Sequence, residues 1–355
     1  STTAGVLSWA TDSLPDASVT AAKIASGSKL VTTDAQGNTV AGTNAGDSFT
    51  GTDALNNTLI GYNAGTAITT GDSNTAIGSW ALDENTTGGS NTAIGKNALL
   101  ASTTGNYNAA FGAQALDANT TGGSNTAIGM HALGANTTAN SNTAVGYAAM
   151  LANTTGTQNA AVGKGALESN TTATGNTAVG FASLGSTTTG ANLTAVGNHS
   201  LNANTTGANN SGFGTNVLLV NTTGGSNTAV GAYALDANTT ANANTATGYN
   251  ALTANTTASG NTATGYSALA TNTTGTYNCA FGEWAIGANT TGSNNSAVGR
   301  YALLNNTTAS NNTGIGYYAL LENTTGTQNT AVGAYAADVT TTGGYNSAFG
   351  VNALG

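Results

Sequence analysis

The sequence predicts an all-β fold: a parallel β-roll, or β-solenoid, of 17-residue coils, assembled as a homotrimeric elongated rod. Three observations predict it. The phrase Asn74-Thr75-Ala76-Ile77-Gly78 returns at every seventeenth position, as Asn91-Thr92-Ala93-Ile94-Gly95 and onward to Asn346-Ser347-Ala348-Phe349-Gly350, without a slip. Extended back to Asn57, the frame holds 18 copies, the last one partial. A unit of this length is too short for a helix pair and suits one turn of a narrow solenoid. Apolar residues hold fixed places in the unit, which sets the chain apart from a disordered one of similar polarity.

The chain divides into residues 1–56, outside the frame, and a β-roll over residues 57–355. The first part contains the single proline, Pro15, and five of the 14 acidic residues. Ser18–Ile24 reads as a short helix or strand. Lys29–Val40 reads as a hairpin, two β-rich runs around Gly37-Asn38. The expected role is a cap or connector, because a solenoid end exposes an unpaired strand edge. The phrase Val19–Gly27 resembles segments of bacteriophage tail-fibre proteins.

Numbering the unit from its leading Asn as position 0, glycine holds position 4 in all 18 copies, from Gly61 to Gly350. A place that accepts only glycine needs a positive φ or has another backbone against it, so it marks a corner. Position 3 is Ile, Val or Phe in 16 copies, with Thr247 and Thr264 as exceptions. Position 8 is Leu in 14 copies, and position 2 is Ala in 15. Two strand-like runs are expected per coil, positions 0–3 and 5–9, with Asn-Thr-Thr-Gly turning the chain to the next copy.

By strand alternation, the large residues at positions 3 and 8 (Ile77 and Leu82) are expected to fill the coil. Ala76 and Ala81 would then point outward as a smooth contact strip. Two large side chains per coil, at roughly 2 kcal/mol each, leave little margin over the cost of ordering it. Both points predict self-association, parallel and three-fold. Stacking at about 4.8 Å makes 18 coils a rod of roughly 85 Å. Equivalent residues then form ladders, above all Asn at position 0 (17 copies) and at position 11 (13 of 16 copies).

The unit Asn-Thr-Ala-Ile-Gly followed by x-x-Ala-Leu resembles the head repeat of trimeric autotransporter adhesins, and similar repeats occur in phage tail-fibre proteins. The resemblance covers residues 57–355 and implies a trimeric, left-handed parallel β-roll. The unit here is longer by its Asn-Thr-Thr-Gly insert, and the chain carries neither a coiled-coil stalk nor a membrane anchor.

Positions 5 and 6 vary, and they collect 12 of the 21 aromatic residues. Trp284, Tyr301, Tyr318 and Tyr335 fall at position 6 of four successive coils. With Trp80, Tyr249, Tyr266 and Tyr317 they form a candidate aromatic stripe for a receptor or glycan, since Tyr and Trp are favoured at binding surfaces. A stacking ladder that only stiffens the rod is the plainer reading. Glu283 and Arg300 share position 5 of adjacent coils and predict a surface ion pair. Each Asn-Thr-Thr is also a glycosylation sequon, beginning with Asn85, Asn119 and Asn136. A turn and ladder matching the sequon by chance is the alternative.

Other functions are disfavoured. The net charge is −9 and the five basic residues are scattered, so no patch exists for nucleic acid. No run of apolar residues is long enough to span a bilayer, so no membrane insertion is expected. The chain starts at Ser1 without Met, as a processed terminus would. His131 and His199 lie four copies apart, about 19 Å at strand spacing, and no histidine shares the coil of the one cysteine, Cys279. Asp83, Asp117 and Asp236 are not in consecutive coils, so no calcium cage is expected. These absences predict no enzyme activity and no cofactor.

The function expected is a structural or adhesive extracellular fibre, a phage tail fibre or surface adhesin. Its partners would be further copies of itself and a cell-surface receptor or glycan. The alternative is a self-assembling subunit of a pilus-like surface filament. The last copy breaks off at Asn352-Ala353-Leu354-Gly355, and a neighbour's N-terminal segment could cover that edge. A third possibility is ice binding, for which a flat Thr-x-Thr face would be needed. Thr86 and Thr87 are adjacent and on a strand would face opposite ways.

Overall fold

The structure, a computed structural model, describes residues 28–50 and 53–354. The segments Ser18–Ile24 and Val19–Gly27 lie outside the described residues. Strand β1 (Ser28–Thr33) pairs antiparallel with β2 (Thr39–Thr43). From β2 onward the pairing is parallel. β3 (Thr58–Ile60) to β20 (Ser347–Phe349) follow as short strands, one per repeat, each hydrogen-bonded to its chain neighbours in register. Strands contact only the strands before and after them. The chain is therefore a parallel β-solenoid of about 18 turns, with no helix among the described residues.

The hairpin expected over Lys29–Val40 is present. Its turn is built on Asp34, whose Oδ1 accepts the backbone N–H of Gln36 and Asn38 at 3.0 and 2.8 Å. The Asn38 side chain donates to the other carboxylate oxygen. These bonds, the Asn38 side chain's first, hold the Asp34 carboxyl below the usual carboxylate range. β1 thereby lies along the edge of β2 that the parallel stack leaves open.

Regular pairing also reaches one coil further back than Asn57. Asn38-Thr39-Val40-Ala41-Gly42 spells positions 0 to 4, and its register is Thr39↔Thr58, Val40↔Leu59 and Ala41↔Ile60. Asn57 follows Asn38 by two places more than the regular step, an insertion that hides this coil from a fixed frame.

Within a coil, backbone N–H groups reach alternately to the coils on either side. Gly78, Trp80 and Ser90 donate back to Ile60, Tyr62 and Asp72. Thr75, Leu82, Glu84 and Thr86 donate forward to Asn91, Ala98, Leu100 and Thr103, at 2.8–3.1 Å. Backbone groups are thus paired around the whole circumference, not only in the strands.

Two expectations about the coil need correction. First, positions 5–9 do not form a second strand. Position 6 and position 8 are both left-handed, with φ of 57° at Trp80 and 55° at Leu82, and position 16 is too, with 57° at Ser90. Each such non-glycine residue costs roughly 1–2 kcal/mol in isolation, a strain the bonds to adjacent coils hold in place. The consequence is that Ala81 and Leu82, neighbours in sequence, are both fully buried. A strand would have sent one of them outward.

Second, the alanines are core, not contact strip. Ala76 and Ala81 have no exposed surface, whereas Ile77 at position 3 is 37% exposed. The same holds along the rod: Ala127 is fully buried beside Ile128, Ala297 beside Val298. In most coils the interior holds one large side chain, the leucine at position 8; the coils starting at Asn57, Leu193 and Asn210 bury two, Leu59 with Ile68, Leu193 with Leu201 and Val217 with Leu218. Gly212 shows how tightly it fits: a Cβ there would stand 2.4 Å from Leu201 Cδ1 and 3.1 Å from Val217 Cγ1. Size is a poor guide to direction here, because the bulky residue sits on the outer face of the strand. In the coil starting at Asn57 the roles trade places. Gly65 occupies position 8, and the buried Leu59, at position 2, and Ile68, at position 11, pack into the vacated space.

The rest of the interior is asparagine. At position 0, each carboxamide oxygen accepts the backbone N–H of the next coil's Asn, as Asn74 does from Asn91 at 3.0 Å. Its amide nitrogen donates to the carbonyl at position 14 of its own coil, as Asn74 to Gly88 at 2.9 Å. At position 11 the amides bond to one another: Asn136 to Asn119, Asn153 to Asn136 and Asn170 to Asn153, at 2.9, 2.9 and 2.7 Å. A second run joins Asn204 to Asn323. Both expected ladders therefore exist, and they are buried.

Candidate functional site

Glycine at position 4 ends the strand and turns the chain at a positive φ, 134° at Gly78 and 135° at Gly248. It leaves positions 5 and 6 on the outside of that corner. Because coils stack in register, side chains at these positions meet their counterparts one coil away. The aromatic residues expected to form a stripe are brought together in two runs. Tyr233, Tyr249, Tyr266 and Trp284 connect through ring contacts of 5.9, 5.5 and 6.2 Å between centroids. Tyr301, Tyr318 and Tyr335 connect at 5.2 and 5.5 Å, with Tyr317 packed against both Tyr318 and Tyr335.

Among the described residues no ring contact joins Trp284 to Tyr301, so the stripe is broken there. Trp80 stands apart, edge-on to Tyr62 at 5.5 Å. Tyr249–Tyr266 and Tyr301–Tyr318 are nearly parallel, at 14° and 12°, and cover one another's faces. Tyr249, Tyr266, Tyr317 and Tyr335 are exposed, and Trp80, Trp284, Tyr301 and Tyr318 half-buried.

The break is filled by charge. Arg300 Nε lies 3.0 Å from Glu283 Oε2, the ion pair expected from their shared position. Both side chains are solvated, so the pair adds little stability. The guanidinium also lies 4.5 Å from the Tyr301 ring centre, and its Nη2 donates to the Tyr301 hydroxyl at 3.0 Å. Those contacts, the hydroxyl's first, raise the Arg300 pKa further. The hydrogen bond with Tyr317 likewise raises the Tyr318 phenol.

Sequence reasoning missed a regularity here. Lys96, Lys164 and Arg300, all at position 5, each lie over an aromatic ring: Trp80, Tyr147 with Phe181, and Tyr301. Sorting the cations by position would have found it. It also missed the outer column at position 3, described below, and the exposed Tyr107, Tyr277 and Tyr345 at position 16.

The sequon asparagines fare differently. Asn85, Asn119 and Asn136 are fully buried at position 11, and the Nδ2 of each donates to the carbonyl at position 14. A glycan on that nitrogen is incompatible with this fold, so these residues are interior groups rather than attachment sites, and Asn119 and Asn136 are bonded to one another in the ladder. Thr86 is also engaged, its hydroxyl donating to the Thr103 carbonyl at 3.1 Å.

His131 packs on Tyr147 and His199 on Phe181. Burial pushes the Cys279 thiol and the Asp117 carboxyl up. Among the described residues no three His, Cys, Asp or Glu side chains are grouped to hold a metal ion, and no helix is long and apolar enough to cross a membrane.

The chain matches no protein-family model and no curated protein.

Proposed function

We propose that this chain is the shaft of a non-enzymatic extracellular fibre, of the phage tail-fibre or surface-adhesin kind, that meets a receptor or glycan along its aromatic runs. One observation carries the reading: the chain spends its repeats on a single in-register stack, while its variable positions, 5, 6, 9, 10, 15 and 16, lie outside the buried core and gather most of its aromatic residues at 5 and 6. A repeated interior with a varied outer edge suits a spacer that also displays contact groups. The exposed rings of Tyr249, Tyr266, Tyr317 and Tyr335 offer apolar area at little entropic cost, as binding surfaces do.

Replacing Trp284, Tyr301 and Tyr318 together with Ser tests this. The β circular-dichroism spectrum should persist, since the rings lie outside the core, while adhesion to host cells or retention on a glycan array falls at least tenfold. Undiminished binding by a folded triple variant would show that the rings only stiffen the rod.

A further inference from the structure

The outer face of the strands carries a feature that nothing within the chain uses. Position 3 points outward in every coil, and it is Ile, Val or Phe everywhere except Thr247 and Thr264. Exposure is near two-fifths in most coils, for example 38% at Ile60, 42% at Ile128, 42% at Phe213 and 41% at Ile315, and is lower at Ile94, Val145, Val196 and Val332. In-register pairing stacks these side chains into one column that runs along the coils. At roughly 60–70 Å² each, the apolar members together offer on the order of 1,000 Å², against about 800 Å² per partner in a standard stable interface. An apolar patch of that size, broken only at Thr247 and Thr264, marks a contact surface.

We infer that this column is the seat of a second copy of the same chain, packed parallel and in axial register. The inference rests on the fibre reading and adds to it the face through which copies join. Three observations select the occupant. The column has the period of the coil from end to end, and a second solenoid of this chain has the same period to match it. Positions 1 to 4 carry no charged residue in any of the 18 copies. The acidic side chains of the repeats lie at positions 5, 9, 10 and 15, so two chains of net charge −9 can meet here without bringing their carboxylates together.

Orientation follows from the two polar members. In a parallel pair Thr247 and Thr264 face their own counterparts, where hydroxyls can pair. In an antiparallel pair over the same 18 coils they would face Val162 and Val145 and lose water without a partner. Copies related by rotation about an axis along the rods satisfy this and close into a ring.

The test uses the full chain. Light scattering at micromolar concentration should give two or more copies per particle. The triple variant Ile128→Lys, Val162→Lys, Val179→Lys should give the mass of one chain with its β spectrum retained. A second variant, Val162→Cys with Cys279→Ser, should cross-link to itself through a short bismaleimide, because parallel register brings identical residues together. A monomeric parent, an oligomeric triple-Lys variant, or an oligomer that does not cross-link at position 162 would each overturn the inference. If the triple-Lys variant does not fold, the cross-link decides. A monomer that is still an extended rod in electron micrographs removes this interface and leaves the fibre reading standing; a compact particle removes the fibre reading itself.

Discussion

Gly248→Ala is expected to break the stack at its own coil. A Cβ on Gly248 would stand 2.4 Å from the Gly265 carbonyl oxygen and 2.7 Å from its carbon, and φ is +135°. The obstacle is backbone, which cannot swing aside as a side chain would. The same approach recurs along the rod, at 2.5 Å between Gly78 and Gly95 and 2.4 Å between Gly316 and Gly333. Clash and backbone strain together place the cost at roughly 4 kcal/mol or more, the range of severe single substitutions. In a solenoid the damage stays local, because each coil contacts only its neighbours. Hydrogen exchange should therefore show protection lost around residues 231–282 and retained toward both ends. Parent-like protection at Gly265 would mean that adjacent glycine corners are not in contact.

Thr187→Asn is expected to stabilise the rod. The position-11 ladder is interrupted by Ser102 and by Thr187, and four of the five buried side-chain atoms left without partners among the described residues lie at these breaks: Asn85 Oδ1, Ser102 Oγ, Asn170 Oδ1 and Thr187 Oγ1. Asparagine at 187 would donate to Asn170 Oδ1 and to the Gly190 carbonyl, and accept from Asn204, joining the two runs into one. Satisfying a buried polar group is worth about 1–3 kcal/mol. The converse change, Asn255→Ala, removes the donor to Asn238 Oδ1 and to the Ala258 carbonyl, and the acceptor for Asn272. It should cost on the order of 3 kcal/mol by the same rule. Denaturant unfolding of both variants checks the pair of signs. A destabilised Thr187→Asn rod would show that the unpaired atoms at the break are solvated.

Much of this architecture is legible in the amino-acid sequence, for a physical reason. A solenoid repeats one environment, so the copies report on each other. Eighteen glycines at one position can only mean a backbone requirement, and the structure shows both a positive φ and a neighbouring carbonyl. The leucine core, both asparagine ladders and the Glu283–Arg300 pair follow from the same comparison. What stayed hidden is direction. Whether Ile77 or Ala76 faces inward cannot be decided from size when the interior is too narrow for both, and strand alternation fits either choice. The left-handed turns at Trp80 and Leu82 were hidden as well, because leucine gives no sign of that conformation. The aromatic runs were visible as positions, but the gap at Trp284 depends on ring orientation.

The central claim is that coils stack one per repeat unit into a single straight solenoid. The maximum particle dimension from small-angle X-ray scattering tests it most directly. Eighteen or nineteen coils at about 4.8 Å each predict a long axis on the order of 85–90 Å, with a maximum dimension only slightly larger if copies associate side by side in register. A near-spherical particle about 50 Å across, the size of an ordinary globular chain of this length, would contradict it.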